Sequence, residues 1–195
     1  RTTWLRSDLL TTLFSTDDTK KNEDFSEKTI AELVRACFEM GKVKTGALIV
    51  IERGTPLGEI ERTGIEVDGI VTSQLLINIF EHNTPLHDGA VVIRGNRVTA
   101  ATCYLPLSDN MDISKALGTR HRAAVGVSEA TDSVTLVVSE ETGRVSVAVS
   151  GRLKSVKDGD ELRDMLSVLV KRETENTGRF RIWKGRRRNE RKADE

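Results

Sequence analysis

Asp88 sits in the run Asn83-Thr-Pro-Leu-His-Asp-Gly-Ala90, a turn that feeds an apolar strand. A carboxylate at a strand's edge can hold a hard cation such as Mg²⁺ or Mn²⁺, or take a proton from a hydroxyl. Gly89 beside it removes the side chain that would block a ligand's approach. The same Asp88 can equally be an Asx-turn residue that only stabilises its loop. A second segment, Gly118-Thr-Arg-His-Arg122, leads into Ala123-Ala124. Arginine forks match phosphate oxygens, and a helix start adds backbone N–H donors. The alternative is a solvated basic first turn, although cations there run against the helix macrodipole. The third segment is Ser139-Glu-Glu-Thr-Gly143. Its adjacent carboxylates can share a metal or hold a ligand hydroxyl, but acidic hairpin turns are common on surfaces. Tyr104-Leu105-Pro106 can wall an aromatic base or simply end a core strand.

Rival motifs fail on context. His87-Asp88 has the dipeptide of helical metal phosphohydrolases, but a Gly-Ala-Val-Val-Ile strand follows it here. Gly126-Val-Ser-Glu-Ala130 faintly resembles a nucleophile elbow. The hydrolase order of Ser, acid, His cannot be met, because His82, His87 and His121 all precede Ser128. There is no Walker-type phosphate loop and no dinucleotide fingerprint.

These segments need a frame. Asp24 followed by Glu27 has capping-box spacing and opens a helix with Ile30, Leu33, Val34, Cys37 and Phe38 on one stripe, stopping at Gly41. Gly46–Ile51 is continuously apolar and too short for a helix, so it is expected as a central strand covered on both faces. Residues 53–64 are expected as a glycine-rich loop, and 72–80 as a helix capped by Thr72 or Ser73. Gly95-Asn96 joins Gly89–Ile93 to Val98–Tyr104 in a hairpin. A polar loop over 106–118 precedes a short helix capped by Thr119. Val134–Val138 and Val145–Val149 form a second hairpin, and Asp160 caps a last helix with Leu162, Met165, Leu166 and Leu169 on one face. The expected fold is α/β (α+β): a mixed, largely antiparallel sheet of five or more strands flanked by helices, in one domain over 25–172.

With 195 residues, 37% of them hydrophobic and 31% charged, a core can be buried and the rest kept soluble. Thirty basic residues cancel thirty acidic ones, so no global field draws the chain to nucleic acid or lipid. The balance is uneven. Residues 179–195 hold eight Lys/Arg against three Asp/Glu, leaving the remainder net acidic. Residues 173–195 are expected as a disordered basic tail and 1–24 as a connector, with Trp4, Leu5, Leu9, Leu10 and Leu13 on one short helix. Cys37 and Cys103 lack metal-ligand spacing and are expected as buried thiols in a reducing compartment. No apolar run reaches the roughly 20 residues of a membrane span. A chain opening on Arg1 rather than Met is expected to be a fragment or a processed product.

Asp88-Gly-Ala90 and Arg120-His-Arg122 together resemble the paired signature of diadenylate cyclase (DAC) domains. The likeness extends to Gly46-Ala-Leu-Ile-Val-Ile-Glu-Arg53, Asn83–Ala90, Cys103-Tyr-Leu-Pro-Leu-Ser108, Leu117–Ala124 and Val138-Ser-Glu-Glu-Thr-Gly143, covering roughly residues 27–172. It is nearest the membrane-anchored class (CdaA type), in which a cytosolic catalytic domain follows transmembrane helices and a helical connector.

The resemblance implies condensation of two ATP into cyclic di-AMP with release of two pyrophosphates, across a head-to-head homodimer. It implies that Asp88 binds a divalent metal, Mg²⁺ or Mn²⁺, and helps deprotonate the 3′-hydroxyl, with His87 and Glu141 as further metal ligands. Asp88, Arg120, His121 and Arg122 would be catalytic. Thr119, Arg120, His121 and Arg122 would hold the triphosphate, Tyr104 and Leu105 would pack the adenine, and Ser139 and Glu140 would line the site. Leu86, Gly89, Ala90 and Gly118 complete the implied ATP-binding set. The parent would lie at a bacterial plasma membrane with this domain on the cytoplasmic side; nucleic acid is not an expected partner. Two other readings stay open: a non-catalytic nucleotide-binding regulatory module, and a nucleic-acid accessory domain acting through the tail, where Phe180 and Trp183 interrupt the basic run.

Overall fold

The computed structural model describes residues 25–110 and 117–169; the expected connector over 1–24 and tail over 173–195 lie outside the described residues. In chain order the elements are α1 (Glu27–Lys42), β1 (Ala47–Ile51), α2 (Gly58–Glu61), β2 (Ile65–Ile70), α3 (Ser73–Phe80), β3 (Ala90–Arg94), β4 (Arg97–Cys103), α4 (Thr119–Ala130), β5 (Val134–Val138), β6 (Val145–Val149) and β7 (Arg152–Ser155). A last helix, α5, covers 159–169.

The seven strands form one sheet in the order β2-β4-β3-β1-β5-β6-β7. Among the described residues only β1 and β3 run parallel; every other neighbouring pair is antiparallel. The mixed, largely antiparallel sheet with flanking helices is therefore what the sequence leads one to expect. β1 is central because all five of its residues are apolar and buried. Its alternate side chains face two cores. On one face, α1, α3 and α5 bury Leu33, Cys37, Leu76, Phe80, Leu162 and Leu166 against Ile49, Val91, Leu136 and Val147. On the other, Ala123, Ala124 and Val127 of α4, with Leu57, pack on Leu48, Val50, Val92 and Val137. Each fully buried Leu or Ile in such a layer contributes about 1.5–3 kcal/mol of transfer free energy.

Helix boundaries differ from the sequence expectation by one or two residues, each for a local reason. Ser26, not Asp24, caps α1: its Oγ accepts from the Thr29 N–H at 3.1 Å. Thr72, one of the two expected caps, does cap α3, accepting from the Leu75 N–H. Gly118 is the N-cap of α4, which makes Thr119 its first helical residue rather than its cap. Asp158, not Asp160, caps α5 by accepting from the Glu161 N–H at 3.0 Å. The one-turn α2 stands inside the expected loop over 53–64, and two edge strands, β2 and β7, occupy stretches to which the sequence assigned no element. The register shifts between Glu66 and Gly69 of β2 and again along the β3–β4 pairing.

Register decides what meets at each end of the sheet. Ala47 pairs with Val138, Ile49 with Val91, Ala90 with Cys103, and Val138 with Val145. The starts of β1, β3 and β6 and the ends of β4 and β5 therefore share one end.

Candidate active site

The three polar segments read from the sequence all emerge at that end. Asp88 and Gly89 precede β3, Tyr104 and Leu105 follow β4, and Ser139 and Glu140 follow β5. The starts of β3 and β5's partner positions are separated by β1 alone, so Asp88 and Ser139 leave the sheet two strand spacings apart, about 10 Å.

The first turn of α4 closes the arrangement from above. Arg120 donates from Nη1 to Glu140 Oε2 at 2.6 Å, tying the helix start to the β5–β6 turn. The pair lies over bare backbone: a Cβ on Gly46 would come within 2.8 Å of Arg120 Nη1 and 3.1 Å of Glu140 Oε2. Gly118 makes no side-chain cap, so the helix start presents its N–H groups without a competing side chain. A cleft of about 240 Å³ opens here, walled by Gly118, Thr119 and Arg120 on one side and by Ser139, Glu140 and Glu141 on the other.

His121 is buried at the back of this cleft. Burial holds its imidazole below its usual range, against the opposing pull of the Glu141 carboxylate, so it is uncharged at neutral pH. Arg122 is half-buried, and its carbonyl accepts from the Ser108 N–H at 3.1 Å. Ser139 is nearly buried; its Oγ accepts from the Thr142 N–H and so shapes the turn that carries Glu140.

The Asp88 half lies beside the cleft rather than within its walls. Asp88 is exposed. Gly89 has φ +94°, and a Cβ there would sit 2.8 Å from the Thr102 carbonyl carbon, so no side chain fits between this turn and β4. His87 Nδ1 pairs with the Thr84 carbonyl at 2.6 Å, which orients the ring and leaves Nε2 for another partner. Leu86 packs on the α1/α3 core and Ala90 is wholly buried, so Ala90 can offer a ligand only its backbone. Tyr104 is 75% exposed, a large aromatic face beside the rim, while Leu105 packs partly onto the α4 core. Among the described residues, no group of three or more His, Cys, Asp or Glu side chains is placed to hold a metal ion; Asp88, His87 and Glu141 are not gathered into one cluster.

Sequence reading missed Gly46, Thr142, Arg144, Ser146 and Ser155 as neighbours or walls of the cleft. The alternation of β6 held the signal for one of them. Val145 and Val147 face the α1 core, which turns Ser146 toward the α4 side.

Chemically, a guanidinium at a helix start lines the cleft, and an exposed carboxylate and an open aromatic face stand at the same end of the sheet. Residues 34–153 match the family model described as DisA bacterial checkpoint controller nucleotide-binding (DAC). The chain is 51% identical over 166 residues to the cyclic di-AMP synthase CdaA of Bacillus subtilis, covering 85% of this chain and 61% of that protein. It thus spans about three fifths of that relative's length. Among solved structures, a double mutant of DacA from Staphylococcus aureus superposes with a TM-score of 0.71 at 48% identity, covering 72% of this chain and 94% of that one. A hypothetical membrane spanning protein from Bacillus cereus superposes with a TM-score of 0.65 at 42% identity, covering 67% and 64%.

Proposed function

The chain belongs to the DAC family of nucleotide-binding domains, and from that premise we propose that it is a diadenylate cyclase. Two ATP are condensed into cyclic di-AMP, each 3′-oxygen bonding to the other's α-phosphorus as the bond to pyrophosphate breaks. The observation that carries this reading is the convergence of Asp88-Gly89, Tyr104-Leu105, Arg120 and Ser139-Glu140 at one end of the sheet.

Each role follows from placement. The exposed Asp88 carboxylate takes the proton from the 3′-hydroxyl, which needs an acceptor within hydrogen-bond reach. Gly89 brings the ribose and phosphate against backbone. Thr119, Arg120 and Arg122 hold the triphosphate at the start of α4, where forked donors and the helix dipole both favour an anion. Arg120 exchanges Glu140 for phosphate as the nucleotide enters. His121, buried and neutral, shapes the wall behind them and adds no charge of its own. Tyr104 and Leu105 pack the adenine, and Ser139 and Glu140 line the opposite side, with Leu86, Ala90 and Gly118 completing the proposed ATP-binding set. In-line displacement at phosphorus asks mainly for such positioning and for positive charge.

The exposed Asp88 carboxylate fits a divalent cation, Mg²⁺ or Mn²⁺, that arrives with the nucleotide. Such ions are typically bound by one or two carboxylates together with substrate phosphates rather than by a full protein cage. Asp88 would hold it together with the substrate phosphates, whose charge it would neutralise; His87 and Glu141 do not stand in one cluster with Asp88, so they are not assigned as its further ligands. One copy offers one such set of residues, so turnover takes two copies facing each other with Tyr104 and Asp88 at the shared rim. The catalytic unit is residues 25–172. In the parent protein it is held at the cytoplasmic face of a bacterial plasma membrane by a segment preceding residues 1–24; no helix among the described residues is long and apolar enough to cross a membrane.

The test is incubation of the chain with ATP and Mg²⁺ or Mn²⁺, with Asp88→Asn in parallel, and mass spectrometry for the cyclic dinucleotide. Product from the parent sequence alone, abolished by EDTA, is the expected result. ATP bound through Arg120 and Arg122 but never converted would favour a regulatory pocket, and absence of ATP binding would overturn the reading.

A further inference from the structure

The segment Gly126-Val-Ser-Glu-Ala130, which cannot be a nucleophile elbow, has a different use in the fold. After β4 the chain runs Tyr104-Leu105-Pro106-Leu107-Ser108 against α4 and crosses the helix at Gly126. A Cβ on Gly126 would collide with the Pro106 carbonyl oxygen and come within 2.8 Å of Ser108 N and 2.9 Å of the Leu107 carbonyl carbon. These are backbone atoms, which cannot step aside as the end of a flexible side chain can. Ser108, 3% exposed, fastens the crossing twice. Its N–H donates to the Arg122 carbonyl at 3.1 Å, and its Oγ donates to Glu129 Oε1 at 2.9 Å. The start of the strap is held as well: the Tyr104 N–H donates to Thr63 Oγ1 at 2.9 Å.

We propose that Gly126, Ser108 and Glu129 are positioning residues that hold the Tyr104–Leu105 strap at a fixed distance from Arg120 and Arg122 on the same helix. The inference rests on the nucleotide reading of the site. The adenine and the triphosphate of one ATP are covalently joined, so both ends bind together only where the two protein surfaces keep their separation. A loosened strap must be re-ordered each time ATP binds, and that entropy is subtracted from affinity. A ligand consisting of phosphates alone never touches the strap. Glu129 is exposed and its bond contributes little alone, so the backbone crossing at Gly126 dominates.

The test compares the binding of ATP and of inorganic tripolyphosphate to the whole chain, as parent sequence, Gly126→Ala, Ser108→Ala and Glu129→Gln. In Gly126→Ala, ATP binding is expected to weaken about fivefold or more while tripolyphosphate stays within about twofold of the parent. Ser108→Ala is expected to show the same split at smaller size, and it carries the comparison where Gly126→Ala does not fold. Parallel weakening of both ligands, or unchanged ATP affinity in a folded Gly126→Ala and in Ser108→Ala, overturns the positioning role. A parent chain that binds tripolyphosphate but not ATP overturns the nucleotide reading and this inference with it, an outcome visible before any variant is made.

Discussion

Arg120 Nη1 and Glu140 Oε2 lie 2.6 Å apart across the mouth of the cleft, with room for the pair only because position 46 has no side chain. Gly46→Ala would leave the fold intact, since the crowded atoms are the ends of two flexible side chains. It would push the guanidinium aside, and misplacement by about an ångström can cost up to about a hundredfold in rate. Cyclic dinucleotide formation is expected to fall at least about tenfold, with a melting temperature within a few degrees of the parent. Undiminished turnover would show that Arg120 need not stand where it does.

Asp88 is exposed, so removing its charge takes nothing from the core. Asp88→Asn is expected to melt with the parent chain and to lose turnover by about 10²-fold or more, the range for a missing general base. Steady-state production of the dinucleotide near the parent rate would remove Asp88 from the chemistry.

His121 gives a pH dependence with a definite sign. Its folded-state imidazole sits below the ordinary 6.5. The unfolded chain therefore binds the proton more readily, and stability declines as pH falls through that value. Urea midpoints taken between neutral and mildly acidic pH are expected to drop more steeply for the parent than for His121→Asn. Superimposable declines would assign the effect to other groups.

At the opposite end of the sheet, Arg94 binds Glu52 from Nε at 2.5 Å and Glu61 from Nη2 at 2.7 Å. Glu52 also accepts from the Leu57 N–H, and Glu61 from Thr99 Oγ1. Both carboxylates hold the guanidinium charged, pushing its pKa up against the cost of burial. Arg94→Met strands two largely buried carboxylates. Breaking a fully buried pair costs 3–5 kcal/mol, and with Arg94 38% exposed the expected loss is about 2 kcal/mol, read by chemical denaturation. Activity per folded molecule should be unchanged, because the network is remote from the cleft.

Burial pushes the Cys37 thiol up to about 12 and the Cys103 thiol, with help from Glu61, up to about 11. Neither forms thiolate near neutral pH. Mass spectrometry after iodoacetamide treatment is expected to find both unmodified in the native chain and both alkylated in urea. Native-state labelling of either would mean its surroundings open far more often than the packing implies.

The sequence made β1, β3, β4, β5 and β6 legible because each is an apolar run of strand length beside a turn signal. β2 and β7 were hidden for the opposite reason. Ile65 and Ile70 are exposed on an edge, Asp68 takes φ 45° within a bulged stretch, and Arg-Leu-Lys-Ser is mostly solvent-facing. Caps moved by a residue or two where several capping types stand together, as with Asp24 and Ser26 or Asp158 and Asp160. The polar segments were each recognisable, but their meeting at one end depends on the register of strands far apart in sequence. The same distance hid Gly46, whose neighbours Arg120 and Glu140 exist only in three dimensions.

The single parallel pairing also has a kinetic consequence. Ile49 of β1 sits between Val91 and Leu136, whereas the β3–β4 and β5–β6 hairpins close over short turns. Loop-closure entropy favours the hairpins first, leaving β1 as the seam that joins two preformed ribbons. Asp88 and Tyr104 ride on one ribbon and Glu140 on the other, so a refolding chain would regain most of its sheet before it could grip a nucleotide. Pulsed hydrogen exchange is expected to protect the amides of Val92 and Ser146 ahead of those of Leu48 and Val50, and synchronous protection would mean that the seam forms with the ribbons. If the seam does close last, damage to β1 would cost the chain its site while leaving much of its sheet standing.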